Sequence, residues 1–338
     1  MAELLADHTT LRVGGPAAEF VTVTDEGALV EQVRSADAAG IPVLVLGGGS
    51  NLLVADTGFD GRVVAVRTDS LAVDVDTCSG ALVRVSAGYE WDALVDQAVA
   101  KGWVGVEALA GIPGSVGATP IQNVGAYGQE VAQTVARVRC WDRREGAPKT
   151  FAAADCGFGY RTSRFKAEPG RYVVLEVTFQ FRLADLSAPV GYAELARSLG
   201  VELGQRSPVA AVRRAVLDLR ARKGMVLDPG DHDTWSVGSF FTNPVIDSAR
   251  LPPGAPAWPQ SPGRVKTSAA WLIEQSGFSP GFGNENAAVS GKHTLALTNR
   301  GAATATELVA LARTIRDGVL ARFGIELVTE PVLVGCSL

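Results

Sequence analysis

The feature that most restricts this chain is a stretch of eighteen residues without periodicity, Gly111-Ile112-Pro113-Gly114-Ser115-Val116-Gly117-Ala118-Thr119-Pro120-Ile121-Gln122-Asn123-Val124-Gly125-Ala126-Tyr127-Gly128. Its five glycines and two prolines exclude a helix or a regular strand along it. Connectors of this length are disordered or built to hold something, and the apolar sequence on either side favours a ligand loop. Its many small residues admit close approach of a large flat group. A second run, Gly47-Gly48-Gly49-Ser50-Asn51-Leu52, follows the apolar strand pattern Ile41 to Leu46. Three glycine amides beside Ser50 and Asn51 suit a tight turn and a phosphate cradle equally well. This run lacks the third glycine and following helix of a dinucleotide fingerprint, and the lysine of a P-loop.

The 338 residues suffice for two or three domains. With 47% apolar and 20% charged residues the chain is globular, not disordered. A net charge of −5, from 31 basic and 36 acidic residues, argues against nucleic-acid or anionic-membrane partners. No apolar run reaches the ~18 residues of a membrane helix. The first residues, Met1 to Asp7, carry an acid where an export signal needs a base, so a cytoplasmic location is expected. Cys78, Cys140, Cys156 and Cys336 form no C-x-x-C pair and lie far from His8, His232 and His293. No sequence-local metal site is expected, and the cysteines read as small buried hydrophobes in a reducing compartment.

Residues 28–39 have helical spacing and stop at Gly40; another helical pattern begins at Trp91 and ends by Gly102. Residues 63–66, 71–75, 82–85, 135–141 and 172–181 read as strands, the last with a clean period of two. Ser207 and Pro208 predict the cap and first residue of a helix with the stripe Val209, Val212, Val216 and Leu219. The Pro/Gly-rich segment 251–264 reads as a surface loop, and 268–275 as a helix. Thr304 with Glu307 is a capping box opening a helix that stops at Gly324, followed by one long apolar strand from Ile325 to Val334. There is no repeat and no regular βαβ rhythm, so an α+β fold is favoured.

Four further segments carry chemistry. Arg161, in Phe158-Gly159-Tyr160-Arg161-Thr162-Ser163, suits a bidentate carboxylate contact or, as the residues alone favour, a solvated surface. Arg220 and Lys223, one helical turn apart, fit a diphosphate grip or a solvated face. Ser239, in Val237-Gly238-Ser239-Phe240-Phe241-Thr242-Asn243-Pro244, has no neighbouring histidine in sequence to mark it as a nucleophile. Its flanking aromatics suit a desolvated proton or hydrogen-bond donor. Glu330 lies in an apolar run, where a carboxylate needs a partner or a role.

Taken in order, these segments resemble the UDP-N-acetylenolpyruvoylglucosamine reductases, flavoenzymes of peptidoglycan precursor synthesis. The resemblance spans nearly the whole chain. It starts at Thr10-Leu11-Arg12-Val13-Gly14-Gly15-Pro16-Ala17, includes both glycine loops, Tyr160-Arg161-Thr162-Ser163 and 238–244, and closes with Lys292-His293 and Glu330-Pro331-Val332. Pro189-Val190-Gly191-Tyr192-Ala193-Glu194-Leu195 is similar to the tyrosine loop of the subtype whose tyrosine caps the substrate. Thr119-Pro120 departs from a common Gly-Ala pair, and Thr242 stands where lysine is common.

The resemblance implies an α+β fold of three domains. Residues 1–70 and 71–219 would form an FAD-binding unit, 220–320 a substrate-binding domain, and a C-terminal strand in 321–338 would return to the second domain. It further implies a monomer with non-covalent FAD and NADPH as co-substrate. Hydride would pass from flavin N5 to C3 of the enolpyruvyl ether of UDP-N-acetylglucosamine, and a proton from Ser239 to C2, giving UDP-N-acetylmuramate. Arg161 would stabilise the enolate-like charge, with Glu330 either protonated and bonded to the carboxylate or ionised and orienting Arg161. Cofactor contacts would come from Gly47, Gly48, Gly49, Ser50, Asn51, Leu52, Gly111, Pro113, Gly114, Ser115, Gly117, Ala118, Gln122, Asn123, Gly125, Tyr127 and Arg161. Substrate contacts would come from Tyr192, Arg220, Lys223, Asn243 and His293. Two rival readings are an FAD oxidase of another small molecule and a silent flavin module. The glycine loops lack the His or Cys of covalent flavinylation, and retention of Arg161, Ser239 and Glu330 together opposes the silent module.

Overall fold

A computed structural model of the chain describes residues 2–76 and 79–338. Cys78 lies outside the described residues. The chain divides into two compact units, one of 18–48 and 60–222, the other of 1–17, 49–59 and 223–338.

In the first unit, Asp25 caps the helix Glu26–Ala39 by accepting from the Ala28 amide at 2.8 Å, and Gly40 ends it at φ +68°. This helix packs beside the parallel pair Val43–Leu46 and Phe59–Val66, whose sheet is completed by Ala17–Val23. A larger antiparallel sheet has the order Ala147–Ala152, Val135–Asp142, Tyr172–Leu183, Gly80–Ser86, Leu71–Asp76, with Trp103–Val104 also paired to Tyr172–Leu183. Along Tyr172–Leu183 one face buries Val173, Leu175, Val177, Phe179 and Phe181. Val174 and Thr178 are buried on the other face too, so the strand is covered on both sides over its middle rather than half-buried throughout. The core beneath is Trp91, Leu94, Val95, Val138, Phe179 and Val216. The buried Asp142, at the end of its strand, is held by Arg171 at 2.8 Å, which keeps its carboxyl down at about 2 against the opposing effect of burial. Cys140 and Cys156 are buried and unbridged, and burial pushes both thiols up, Cys156 to about 11.

The second unit is built on the helices Ala269–Gln275 and Ala305–Phe323. Ser268 caps the first, the Thr304–Glu307 capping box opens the second, and Gly324 ends it at φ +64°. Asp56 adds a second cap, accepting from the Ala305 and Thr306 amides at 2.7 and 3.0 Å. The core joins Leu272, Leu308, Ala312, Ile315, Phe240 and Phe241 with Leu11 and Leu53 from the far N-terminal third.

Five expectations change. The helix after Pro208 begins at Val209, because Ser207 gives its amide to Ser187 Oγ and Pro208 supplies the capping carbonyl to Ala211 and Val212. Within the expected loop 251–264, Ala257–Ser261 pairs with Arg264–Thr267 as an exposed hairpin. Of the expected strand 325–334 only Val332–Val334 pairs as one; Ile325 and Leu327 are core residues buried without a ladder. That strand runs parallel to Leu52–Val54 and lies in the unit containing 223–338, not with the strands of 71–219. Cys336 is only half-buried, its thiol 3.8 Å from the Leu53 carbonyl.

Candidate active site

In the first unit the two glycine segments meet. A Cβ on Gly48 would lie 2.6 Å from Gly114 Cα, and one on Gly47 would lie 2.4 Å from Ser115 Oγ, so any side chain would drive the loops apart. The longer loop is fixed from below. Asp92 accepts from the Gly111 amide at 2.6 Å, and the carbonyl of Gly114, beyond Pro113, accepts from the Trp91 amide at 3.0 Å. Gly117 donates to the Ala87 carbonyl at 2.8 Å and, with Ala118, sits in a single 3-10 turn.

Past the half-buried Gln122 the backbone becomes strained. Among described residues other than glycine, positive φ occurs at Arg12, Asn123, Tyr127 and Arg161, with values between 48° and 54°. Each such residue costs on the order of 1–2 kcal/mol, and such strain persists where surrounding contacts impose it, often at functional sites. Asn123 is 1% exposed and is held by three bonds: Nδ2 to Glu130 Oε2 at 2.8 Å and to the Gly159 carbonyl at 3.0 Å, and Oδ1 from the Ala132 amide at 3.1 Å. Arg161 sits at the tip of a tight turn closed by reciprocal Gly159–Thr162 bonds, and its Nη2 donates to the Gly125 carbonyl at 2.7 Å. A Cβ on Gly125 would stand 3.2 Å from Arg161 Nη1. The loop and Arg161 are therefore one constellation, not a surface charge beside a turn.

Tyr127 meets Tyr192 edge to face at 5.4 Å, and Tyr192 is 43% exposed. The loop before Tyr192 is anchored by Glu107, a fully buried carboxylate absent from the sequence reading, which accepts from the Gly105 and Ala188 amides at 2.6 and 2.9 Å. Arg220 is largely buried in the same unit; desolvation lowers its guanidinium to about 10, partly countered by Tyr127 and Asp92. The helix bearing Arg220 ends at Arg222, and Lys223 opens the other unit. Arg220 therefore lies in the last turn of its helix and Lys223 directly after its end.

The second unit gathers a different set. Gly49, at φ +63°, presses on the His8 carbonyl, and its own carbonyl accepts from the Thr10 amide. Past Ser50 and before the strand at Leu52, Asn51 donates through Nδ2 to the Glu330 carbonyl at 3.4 Å and accepts at its carbonyl from the Val332 amide. Glu330 in turn gives its amide to the Phe240 carbonyl at 2.9 Å, an extension of the isolated Phe241–Thr329 bridge. Glu330, far from Ser239 in sequence, is thereby paired with Phe240, the residue that follows Ser239. Phe240 and Phe241 are 0% and 1% exposed, a dry flank for the half-buried Ser239. His293 Nε2 stands 3.5 Å from Ser239 Oγ. Asn243 Oδ1 accepts from the Ala269 amide at 2.9 Å, so its carboxamide oxygen serves as a helix cap.

Matches to known protein families cover two separate stretches of the chain. Residues 17–150 match the family described as FAD binding domain, and 228–334 match the C-terminal domain of UDP-N-acetylenolpyruvoylglucosamine reductase. The reductase of that name from Cutibacterium acnes is 58% identical over 337 residues, 99% of this chain and 90% of its own. The chain belongs to the UDP-N-acetylenolpyruvoylglucosamine reductase family. The Thermobifida fusca member is 54% identical, covering 99% of this chain and 97% of its own. The crystal structure of the Thermus caldophilus reductase superposes with a TM-score of 0.67 at 28% identity, across 99% and 98% of the two chains. Family membership makes the chain an FAD-dependent oxidoreductase of α+β fold. The residues present fit that cofactor: Gly47 and Gly48 meet Gly114 and Ser115 with no room for a Cβ, so two glycine loops come together with backbone amides available to a dinucleotide.

Proposed function

We propose that this reductase converts the enolpyruvyl ether of UDP-N-acetylglucosamine to UDP-N-acetylmuramate, with NADPH as reductant, in peptidoglycan precursor synthesis. Family membership along 99% of the chain supports the substrate. The observation that supports the chemistry is the bond from the Glu330 amide to the carbonyl of Phe240, the residue after Ser239, with Phe240 and Phe241 both buried.

Bound FAD would supply the hydride delivered to C3, drawn from NADPH. Gly47 to Leu52 and the loop 111–127 would hold it, through Gly111, Pro113, Gly114, Ser115, Gly117, Ala118, Gln122, Asn123, Gly125 and Tyr127. Ser239 Oγ–H would deliver the proton to C2. A hydroxyl in a dry setting keeps its proton until a stronger base forms beside it, and a carbanion at C2 is such a base. Arg161 would face the substrate carboxylate, on which negative charge builds. The strained backbone at Arg161 and its bond to the Gly125 carbonyl fix the guanidinium before the charge appears, so little reorganisation is needed. Glu330, half-buried, would complete the hydrogen bonding of that carboxylate. Arg220, Lys223, Asn243 and His293 would bind the UDP-sugar, and Tyr192 would cover it as the tyrosine-loop subtype requires; its partly exposed ring, backed by Tyr127, supports this role. In domain terms, 1–70 and 71–219 would serve FAD and 220–320 the substrate.

The Ser239→Ala enzyme tests this reading. It should hold FAD and be reduced by NADPH, yet return to the oxidised spectrum at least about 100-fold more slowly when the enolpyruvyl UDP-sugar is added. Wild-type turnover in this variant would remove Ser239 as the donor.

A further inference from the structure

The inference rests on the proposed role of Ser239 and concerns where its proton comes from. A serine hydroxyl backed by a neutral imidazole gives its proton to the imidazole, the arrangement that makes serine a nucleophile. A serine that must give its proton away needs the opposite: a protonated imidazole whose N–H points at Oγ, leaving the hydroxyl hydrogen for the substrate. His293 Nε2 at 3.5 Å is the group in position, at the long end of hydrogen bonding, as catalytic contacts often are before substrate binds.

The turn that carries His293 is built by carboxylates. Asp233 accepts from Ser290 Oγ at 3.0 Å and from the Gly291 amide at 3.1 Å, and Ser290 Oγ then accepts from the Lys292 and His293 amides at 3.0 and 3.1 Å. Asp231 pairs with the Lys292 ammonium. Around this turn stand the carboxylates of Asp231 and Asp233 and the ammonium of Lys292, with His232 and Arg300 bordering Asp231 and Asp233; the Glu330 amide bonds the Phe240 carbonyl, next in chain to Ser239. The relay requires the cationic ring, since only then does Nε2 carry a proton to give to Oγ.

We propose that His293 restocks Ser239, so that the proton reaching the substrate is drawn from a Ser239–His293 relay. The Oγ–H bond breaks as the C2–H bond forms, and the His293 Nε2–H bond breaks as Oγ–H is restored. His293 is left neutral and regains its proton from water. No electrons move in the relay, which is separate from hydride delivery. His293 acts through Ser239 as a positioning residue that also holds a proton, beyond any contact it makes with the UDP-sugar.

The test follows flavin reoxidation in a single turnover between pH 5 and 9, after reduction by NADPH, in wild type, Ser239→Ala and His293→Gln. Wild-type rates should fall as pH rises through the titration of the imidazole. His293→Gln should be about 100-fold slower at the acid end and flat with pH. A His293→Gln enzyme with the wild-type rate and pH profile would overturn the relay, while the slow Ser239→Ala enzyme would still uphold the donor. If wild type itself ignores the UDP-sugar, the parent reading fails instead. Should His293→Gln not fold, the imidazole C–H resonance of His293 decides. Its titration midpoint should move between wild type and Ser239→Ala, and an unmoved midpoint would overturn the relay.

Discussion

Single residues at this site are set by what the backbone is forced to do. Asn123 shows the price and the remedy together: a left-handed conformation, offset by three hydrogen bonds from one carboxamide. Replacing it with alanine removes those bonds and keeps the strain. Asn123→Ala should therefore lose about 3 kcal/mol of stability, at about 1 kcal/mol per bond, and should release FAD more readily; thermal denaturation and retained flavin absorbance report both. If melting stays within a degree of wild type, the loop is held by other contacts. The sequence pointed to Asn123, Gly125 and Tyr127 because glycine, proline and polar residues in an apolar region have few structural excuses. It did not reveal their dihedrals, since φ at Tyr127 and Arg161 is imposed by partners up to 36 positions away. Asp233, Ser290 and Glu107 were missed for a related reason. Glu107, half-buried Asp233 and buried Ser290 accept backbone amides, and such acceptors look like ordinary polar residues until the amides are located.

At the level of elements, the Thr304–Glu307 box and the glycine stops were legible and pairing partners were not. That box and the stops at Gly40 and Gly324 act within one turn of chain, so sequence specifies them directly, whereas Ser207 was drawn away from its expected cap by distant Ser187. The hairpin 257–267 was hidden by Pro259, tolerated because Ala257–Ser261 pairs on one side alone. The strand expected over 325–334 was overextended because burial of Ile325 and Leu327 mimics strand alternation. Asp142 ties the end of its strand to Arg171, and its carboxyl lies well below the ordinary value of 3.8. A lowered value in the fold means the pair stabilises above pH 4 and that this contribution disappears as pH falls through about 2. Asp142→Asn should cost about 3 kcal/mol at neutral pH, as breaking a buried pair does. Wild type and variant should converge in melting temperature between pH 4 and 2. Parallel curves over that interval would locate the acid sensitivity elsewhere.

For the whole molecule, the order of residues along the chain is a poor guide to the units they form. Residues 1–17 and 49–59 belong with 223–338, and the parallel pairing of Leu52–Val54 with Val332–Val334 closes that unit. Nothing local announces this, because a strand of three residues carries no mark of its distant partner. The fragment 223–338 alone lacks Leu11, Val13 and Leu53 from its core and one strand of that pair. It should show neither a cooperative melt nor dispersed amide resonances, and a cooperatively folded fragment would contradict the division. The same feature bears on inheritance. Between two related genes, a single crossover anywhere in codons 60–222 unites Leu52–Val54 of one parent with Val332–Val334 of the other. A double crossover that exchanges the 60–222 cassette leaves both strands of that pair with one lineage. Viable hybrids should accordingly descend from double exchanges, or from parents whose two short strands already match.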